Sequence, residues 1–334
     1  MENLRKNFMN NMKKIKIAFI YKENNVFLLG NHFDNTYFHF FMEELRKDES
    51  IIVTDFPTKE IFDASILKNK FDIILLWNNN GEGMPNEILG IEELKIPVIS
   101  NNSDFVWAKN AIKNHKKWKI DHYFDFVTKE MFYSTYPKNF KFKTIIYGLD
   151  SSLYQNVKPF QERVKNKILL TGATGNTKFF SKIINDIRTP KWNAFRFYHL
   201  RTMCSKLSYV DYTTTLQHKY VNDQYPKLLE KYASSITASS YTPNIKYWEN
   251  AAAGCLTFME ITKKNRGEYL GYVDGETCIF INEDNYQEKF KEYLNDIDNP
   301  KWEKIATAGR KFTLKNLNNE KAVKDLIEIM NLYI

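Results

Sequence analysis

Three short segments carry the side chains best able to do chemistry. The first is Lys246–Gly254, KYWENAAAG. Lys246 and Glu249 stand three residues apart, so a helix would put a cation and a carboxylate on one face. The alanines behind Glu249 offer a small-residue packing surface, and Gly254 suits a helix end before the apolar run CLTFM. A glutamate in that place serves either as an acceptor for a bound ligand or as a solvated side chain. The second segment is Lys167–Lys178, KILLTGATGNTK, which reads as strand, glycine turn and helix start. That geometry aims backbone N–H groups and a helix dipole at an anion. Its candidates are Gly172, Thr174, Gly175 and Lys178, and the spacing is not that of a Walker loop. Phosphate contact, a plain βα turn and a dinucleotide site are three uses of such a turn. The third segment is Asn265–Asn282, NRGEYLGYVDGETCIFIN. Arg266, beside Asn265, can grip a diphosphate with two parallel hydrogen bonds, or decorate a surface loop.

Polar loops also offer side chains able to act as general bases, a role His, Asp or Glu can fill. The loop after the first strand offers His32 and Asp34. The loop after the strand at Pro97 offers Asp104.

These segments need a scaffold, and the chain is long enough for two. Its 334 residues exceed one ordinary core and suit two domains of about 150 residues. The hydrophobic share of 43% and charged share of 26% are those of a globular protein. No apolar run reaches the roughly 18–20 residues of a bilayer span. The start, MENLRKNFMNNMKK, lacks the apolar stretch of a signal peptide. The three cysteines, Cys204, Cys255 and Cys278, lie too far apart for a metal motif, and a reducing cytoplasm is expected. A net charge of +8 favours anionic partners: nucleotides, phospholipid headgroups or nucleic acid.

Short apolar runs alternate with helical periodicity, which predicts an α/β fold with parallel sheets. In the first half, strands are expected at Ile15–Tyr21, Ile51–Thr54, Asp72–Trp77, Pro97–Ser100, Tyr123–Val127 and Thr144–Tyr147. A helix from about Asn35 should bury Phe38, Phe41, Met42 and Leu45. In the second half, strands are expected at Lys167–Thr171, Ser235–Ser239, Cys255–Met259 and Cys278–Ile281. Helices are expected at Asn176–Ile187, around Glu249, from Asn299–Pro300, and from about Glu320. The last should bury Val323, Leu326, Ile327 and Met330.

Two resemblances follow. TGATGNT is similar to the opening of short-chain dehydrogenases and NmrA-like proteins, which implies an NAD(P)-dependent oxidoreductase. Those proteins begin with this loop, whereas about 165 residues precede it here, and the only Tyr-x-x-x-Lys spacing for their catalytic pair, Tyr154/Lys158, lies upstream. Tyr241–Met259 resembles the C-terminal half of GT-B glycosyltransferases, above all the spore-maturation-type family and the group 1 transferases. Their helix reads roughly K/R-x-x-E-x-x-A-x-G before a strand.

This second resemblance covers residues 144–330 well and 1–143 only in the alternation of elements. It implies two Rossmann-like domains facing across a cleft: 1–155 for the acceptor, 156–315 for the donor, and 316–334 as a helix crossing back to the first. It implies that Glu249 holds the ribose hydroxyls of a UDP- or GDP-sugar, the donor substrate. The diphosphate would be met by Gly172, Thr174, Gly175, Lys178, Lys246, Asn265 and Arg266, with no metal and no separate cofactor. A sugar, hexose-like, would pass to a glycan, lipid-linked or protein-glycan acceptor, in the cytoplasm or at the inner face of a membrane. Transfer to nucleic acid is the alternative. Many retaining relatives carry another glutamate eight positions before Glu249, where Tyr241 stands here, so the motif implies a donor site and no stereochemistry.

Overall fold

The computed structural model describes residues 14–23, 37–79, 83–102, 108–175, 178, 180, 183–184, 187, 194–213, 220 and 222–334. The chain divides into two compact units, Met1–Gly148 with Asn319–Ile334, and Leu149–Asn318. Each is built on a wholly parallel sheet.

In the first unit the strands are β1 (Ile15–Lys22), β2 (Ile51–Thr58), β4 (Ile73–Leu76), β6 (Val98–Asn101), β7 (Ile120–Asp125) and β8 (Phe142–Thr144), in the order β2-β1-β4-β6-β7-β8. A small parallel pair, β3 (Ile61–Asp63) with β5 (Glu87–Leu89), stands apart from it. Every residue of β4, IILL, is buried, because a central parallel strand is covered on both faces. The helix Tyr37–Lys47 buries Phe38, Phe41, Met42 and Leu45, the stripe its periodicity predicts. The Phe38 ring meets Trp77 edge-on at 4.0 Å.

The C-terminal helix Asn319–Met330 belongs to this unit and packs on helix Tyr37–Lys47. It buries Val323, Leu326 and Met330 as expected, but with Ala322 and Ile329, while Ile327 stays half-buried at the margin of the stripe. The Gly148 N–H donates to Asn319 Oδ1 at 2.6 Å, joining the points where the chain leaves and re-enters the unit. Lys143 Nζ lies 2.7 Å from Glu328 and 3.4 Å from Asp325 on the same helix.

In the second unit the strands are β9 (Val164–Thr171), β10 (Val210–Thr213), β11 (Tyr232–Thr237), β12 (Leu256–Glu260) and β13 (Ile279–Ile281), in the order β10-β9-β11-β12-β13. The core joins Ile168, Leu170, Leu256 and Phe258 to Phe290, Tyr293 and Trp302 of the helices Tyr286–Asn295 and Pro300–Asn316. Asn299 caps the latter, its side chain accepting from Lys301 N, with Pro300 at the first turn. Only Val210 of β10 is buried, as befits an edge strand, and so short and polar a run gives little periodic signal. β7 begins three residues earlier than expected and β8 ends where a strand was expected to begin. Of the helix expected at 176–187, Phe180, Ile183, Ile184 and Ile187 are helical, Lys178 is not, and the rest lies outside the described residues. Among the described residues, no helix is long and apolar enough to cross a membrane.

Candidate functional site

The strand order of the second unit locates a natural ligand position. From β9 the chain passes to β10 on one side, then returns to β11 on the other. Connections therefore diverge between the carboxyl ends of β9 and β11, and open α/β sheets bind ligands in such a crevice. The glycine turn follows β9, and the loop that leads to Lys246–Ala252 follows β11.

Helix Lys246–Ala252 buries Tyr247, Trp248, Asn250, Ala251 and Ala252 and leaves Lys246 and Glu249 half-buried. Lys246 holds its ammonium 4.5 Å from the centre of the Tyr225 ring. Burial pushes the Glu249 carboxyl up and the Lys246 ammonium down, and each partly offsets the shift of the other. Tyr225 ties this helix to the end of β9. Its hydroxyl lies 2.6 Å from Thr171 Oγ1 and donates to Asn250 Oδ1 at 3.2 Å.

The turn itself is largely self-satisfied. The Gly172 N–H, at a φ of 111°, donates to Thr213 O at 3.2 Å, and its carbonyl accepts from Tyr212 Oη at 2.8 Å. Thr174 Oγ1 is 3.2 Å from the same Tyr212 hydroxyl. The Gly175 N–H donates to Thr202 Oγ1 at 2.8 Å. A Cβ at Gly175 would sit 2.3 Å from Phe195 Cα, so glycine there admits the backbone of the helix Ala194–Phe197. The N–H groups of Gly172 and Gly175 are thus spent on the protein. Lys178 is exposed beyond the turn.

A charge that the motifs did not include lies beneath this turn. Arg201, 3% exposed on the helix His199–Cys204, donates from Nη1 to Ala173 O at 3.2 Å. Its guanidinium stacks 4.3 Å from the Tyr198 ring centre. Nε and Nη2 are buried without a protein partner, and burial lowers the basicity of the group. The signal in the sequence is faint: one Arg between Leu200 and Cys204, on a helix face that is otherwise buried.

The NRG loop is organised from within. Asn265 is 1% exposed; its Oδ1 accepts from Thr262 N at 3.0 Å and Gly267 N at 3.1 Å. Its Nδ2 donates to Ser239 O at 3.1 Å and to the Glu260 carbonyl. With the carboxamide committed to the loop, Asn265 shapes the backbone that presents Arg266. Arg266 is exposed and held at a φ of 53°. Glu260 ends β12 beside this loop, 4% exposed, with Oε2 lacking a protein partner. The hydroxyls of Thr213, Thr237, Ser239 and Ser240 are likewise buried and unpartnered at the same sheet edge. Buried polar groups are ordinarily hydrogen-bonded, so this concentration is a candidate position for a polar ligand.

His32, Asp34 and Asp104 lie outside the described residues. Their loops follow β1 and β6 of the first unit, whose order switches direction between β1 and β4. At the carboxyl ends of β4, β6 and β7, Asn79 Nδ2 donates to Asn102 (3.4 Å) and Asn102 Nδ2 to Asp125 (3.3 Å). Among the described residues, no group of three or more His, Cys, Asp or Glu could hold a metal ion.

Comparison with solved structures identifies the architecture. HepE from Anabaena, in complex with UDP and glucose, superposes with a TM-score of 0.58 at 11% identity, over 95% of this chain and 100% of that one. Sucrose-phosphate synthase from Thermosynechococcus elongatus gives 0.59 at 10% identity, over 96% and 99%. An α-glucosyltransferase in complex with UDP-glucose and DNA containing an abasic site gives 0.55 at 11%, over 95% and 100%. The two Rossmann-like units are those of the GT-B fold. Residues 178–328 match the family model described as glycosyl transferase-like, which spans most of the second unit. The chain has the GT-B fold, and its residues 178–328 are similar to the glycosyl transferase-like family. No curated protein sequence matches it.

Proposed function

We propose that the second unit binds a nucleoside diphosphate sugar, a UDP-sugar in the first instance, at the carboxyl edge of β9, β11 and β12. The sugar then passes to a glycan or lipid-linked acceptor. One observation carries this reading: Glu249, Lys246, Arg201 and the unpartnered hydroxyls gather where the strand order of one sheet switches direction. Glu249 accepts the ribose hydroxyls, since a carboxylate takes two charge-assisted hydrogen bonds from a vicinal diol. Arg201 and Lys246 oppose the charge that grows on the departing diphosphate, the dominant kind of catalytic stabilisation in such a displacement. Arg266 and Lys178 add cations at the rim. His32, Asp34 or Asp104 takes the acceptor proton if configuration inverts. HepE and the α-glucosyltransferase, both solved with UDP or UDP-glucose, support the choice of uridine.

Charge distribution favours a glycan or lipid-linked acceptor over nucleic acid. The first unit holds 23 Lys and Arg against 22 Asp and Glu, and the second 25 against 18. The basic excess thus lies with the nucleotide-sugar unit, while the unit expected to bind the acceptor is nearly neutral. A duplex bound there would want a surplus of cations. The excess on the second unit also suits peripheral contact with an anionic bilayer.

A donor-hydrolysis panel tests the reading. Release of UDP from at least one UDP-sugar, with thermal stabilisation by UDP, is the expected outcome. Stabilisation by NADPH and none by any nucleoside diphosphate would overturn it in favour of the oxidoreductase reading.

A further inference from the structure

We infer that Glu260 reads the sugar of the donor, accepting hydrogen bonds from its ring hydroxyls. The inference rests on the donor site proposed above. Glu260 is the last residue of β12, next to β11 in the sheet, with Met259 in register with Thr237. Its backbone carbonyl is fully used, accepting from Tyr247 Oη at 3.0 Å and from Asn265. Its side chain is used only in part: the Ser239 backbone N–H supports the carboxylate, while Oε2 is buried and has no protein partner. Among the described residues no Lys, Arg or His comes within 4.0 Å of this carboxylate to form an ion pair. A buried carboxylate with no ion-pair partner is costly unless something compensates it.

The charged and titratable groups around it come from four elements. Arg201 approaches from helix His199–Cys204, Lys264 from the loop after β12, Glu283 from the end of β13, and Tyr247 from helix Lys246–Ala252. Glu283 is itself engaged by His199 at 2.8 Å. Burial, then Glu283, raises the Glu260 carboxyl to about 7, against the pull of Arg201 and Lys264.

Arg201 and Glu260 therefore flank one sheet edge, each with an unused polar atom and without direct pairing. Arg201 offers donors to an anionic oxygen, and Glu260 offers an acceptor to a hydroxyl. One molecule that satisfies both has a phosphate next to a polyol, which is the junction of a nucleoside diphosphate with a hexose. Thr237, Ser239 and Ser240, buried with free hydroxyls at the same edge, complete a polar lining suited to a sugar. Glu249, on the neighbouring helix, then serves the nucleoside end and Glu260 the sugar end.

The test separates the two ends. Binding of UDP alone, and hydrolysis of UDP-glucose and UDP-galactose, are measured for the wild type, Glu260→Gln and Glu260→Ala. Melting temperature monitors the fold, and the isosteric Gln variant stands in if Ala fails to fold. The expected result is UDP affinity within twofold of wild type and kcat/KM for the sugar nucleotides at least tenfold lower. The preference between the two epimers should change at least fivefold, which a merely structural carboxylate would not cause. In the wild type kcat/KM should rise with pH through about 7 as the carboxyl ionises, and this rise should flatten in Glu260→Gln. Equal losses for UDP and for the sugar nucleotides, or an unchanged epimer preference, would overturn the inference. Absence of UDP binding by the wild type would instead overturn the donor-site reading beneath it.

Discussion

The hydroxyls of Tyr225 and Thr171 stand 2.6 Å apart, and through Asn250 this contact joins the end of β9 to the helix that carries Lys246 and Glu249. Tyr225 thus connects two sequence motifs about 75 residues apart, while its ring faces the Lys246 ammonium. Removing the hydroxyl breaks two buried hydrogen bonds, each worth about 0.5–1.5 kcal/mol net. Tyr225→Phe should therefore lose roughly 1–3 kcal/mol in chemical denaturation. Tyr225→Leu should lose more, and should weaken UDP binding further because Lys246 loses its cation–π partner. Equal UDP affinity in all three proteins would separate Tyr225 from the site.

Glu249→Ala should cut UDP affinity at least tenfold in calorimetry while leaving the melting temperature nearly unchanged. A half-buried carboxylate pushed toward protonation is not a net stabiliser of the fold, so its loss should cost the structure little. Unchanged affinity would remove Glu249 from the nucleotide site.

Glu260 predicts a pH dependence of stability. Its folded-state carboxyl is raised from 4.5 to about 7, so the folded protein holds this proton more tightly than the unfolded chain does. Its favourable contribution is complete below the unfolded value and is lost as pH climbs through about 7. At about 1.4 kcal/mol per unit, the loss approaches about 3 kcal/mol. Denaturation from pH 5 to 8 should show a shallower decline for Glu260→Gln than for the wild type. Parallel curves would mean that Glu260 titrates normally.

Gly175→Ala should destabilise the second unit, because the added methyl would lie 2.3 Å from Phe195 Cα, a backbone atom. Overpacking of this kind costs about 1–3 kcal/mol. Donor binding should fall with it, since the displaced segment leads into the helix of Arg201. Ala tolerated at wild-type stability would show that the turn can open.

Single replacement of His32, Asp34 and Asp104 should abolish turnover in one case at most if the enzyme inverts. UDP binding should persist in all three. Full activity in every variant would place the base elsewhere, or indicate retention.

Much of this molecule was legible along the chain, because local physics writes itself into local sequence. The stripe Phe38, Phe41, Met42, Leu45, the unalternating run of β4 and the Asn299–Pro300 helix start are each set by neighbours a few positions away. The order of such elements already implied parallel sheets, and KYWENAAAG read as a helix with Lys246 and Glu249 on one face. Tertiary structure decided how the site residues are used. Gly172 and Gly175 point their N–H groups at Thr213 and Thr202, and Asn265 spends its carboxamide on its own loop. Arg201, Tyr225 and Glu260, which the proposed donor site adds, come from segments with no motif. Whether a polar atom is satisfied depends on partners distant in sequence, and those are assigned only when strands β9, β11 and β12 lie side by side. The sequence by itself determined an α/β chain with parallel sheets through periodicity, and its resemblance to GT-B glycosyltransferases through one helix. The packed sheet alone decided which buried charged atoms lack a protein partner.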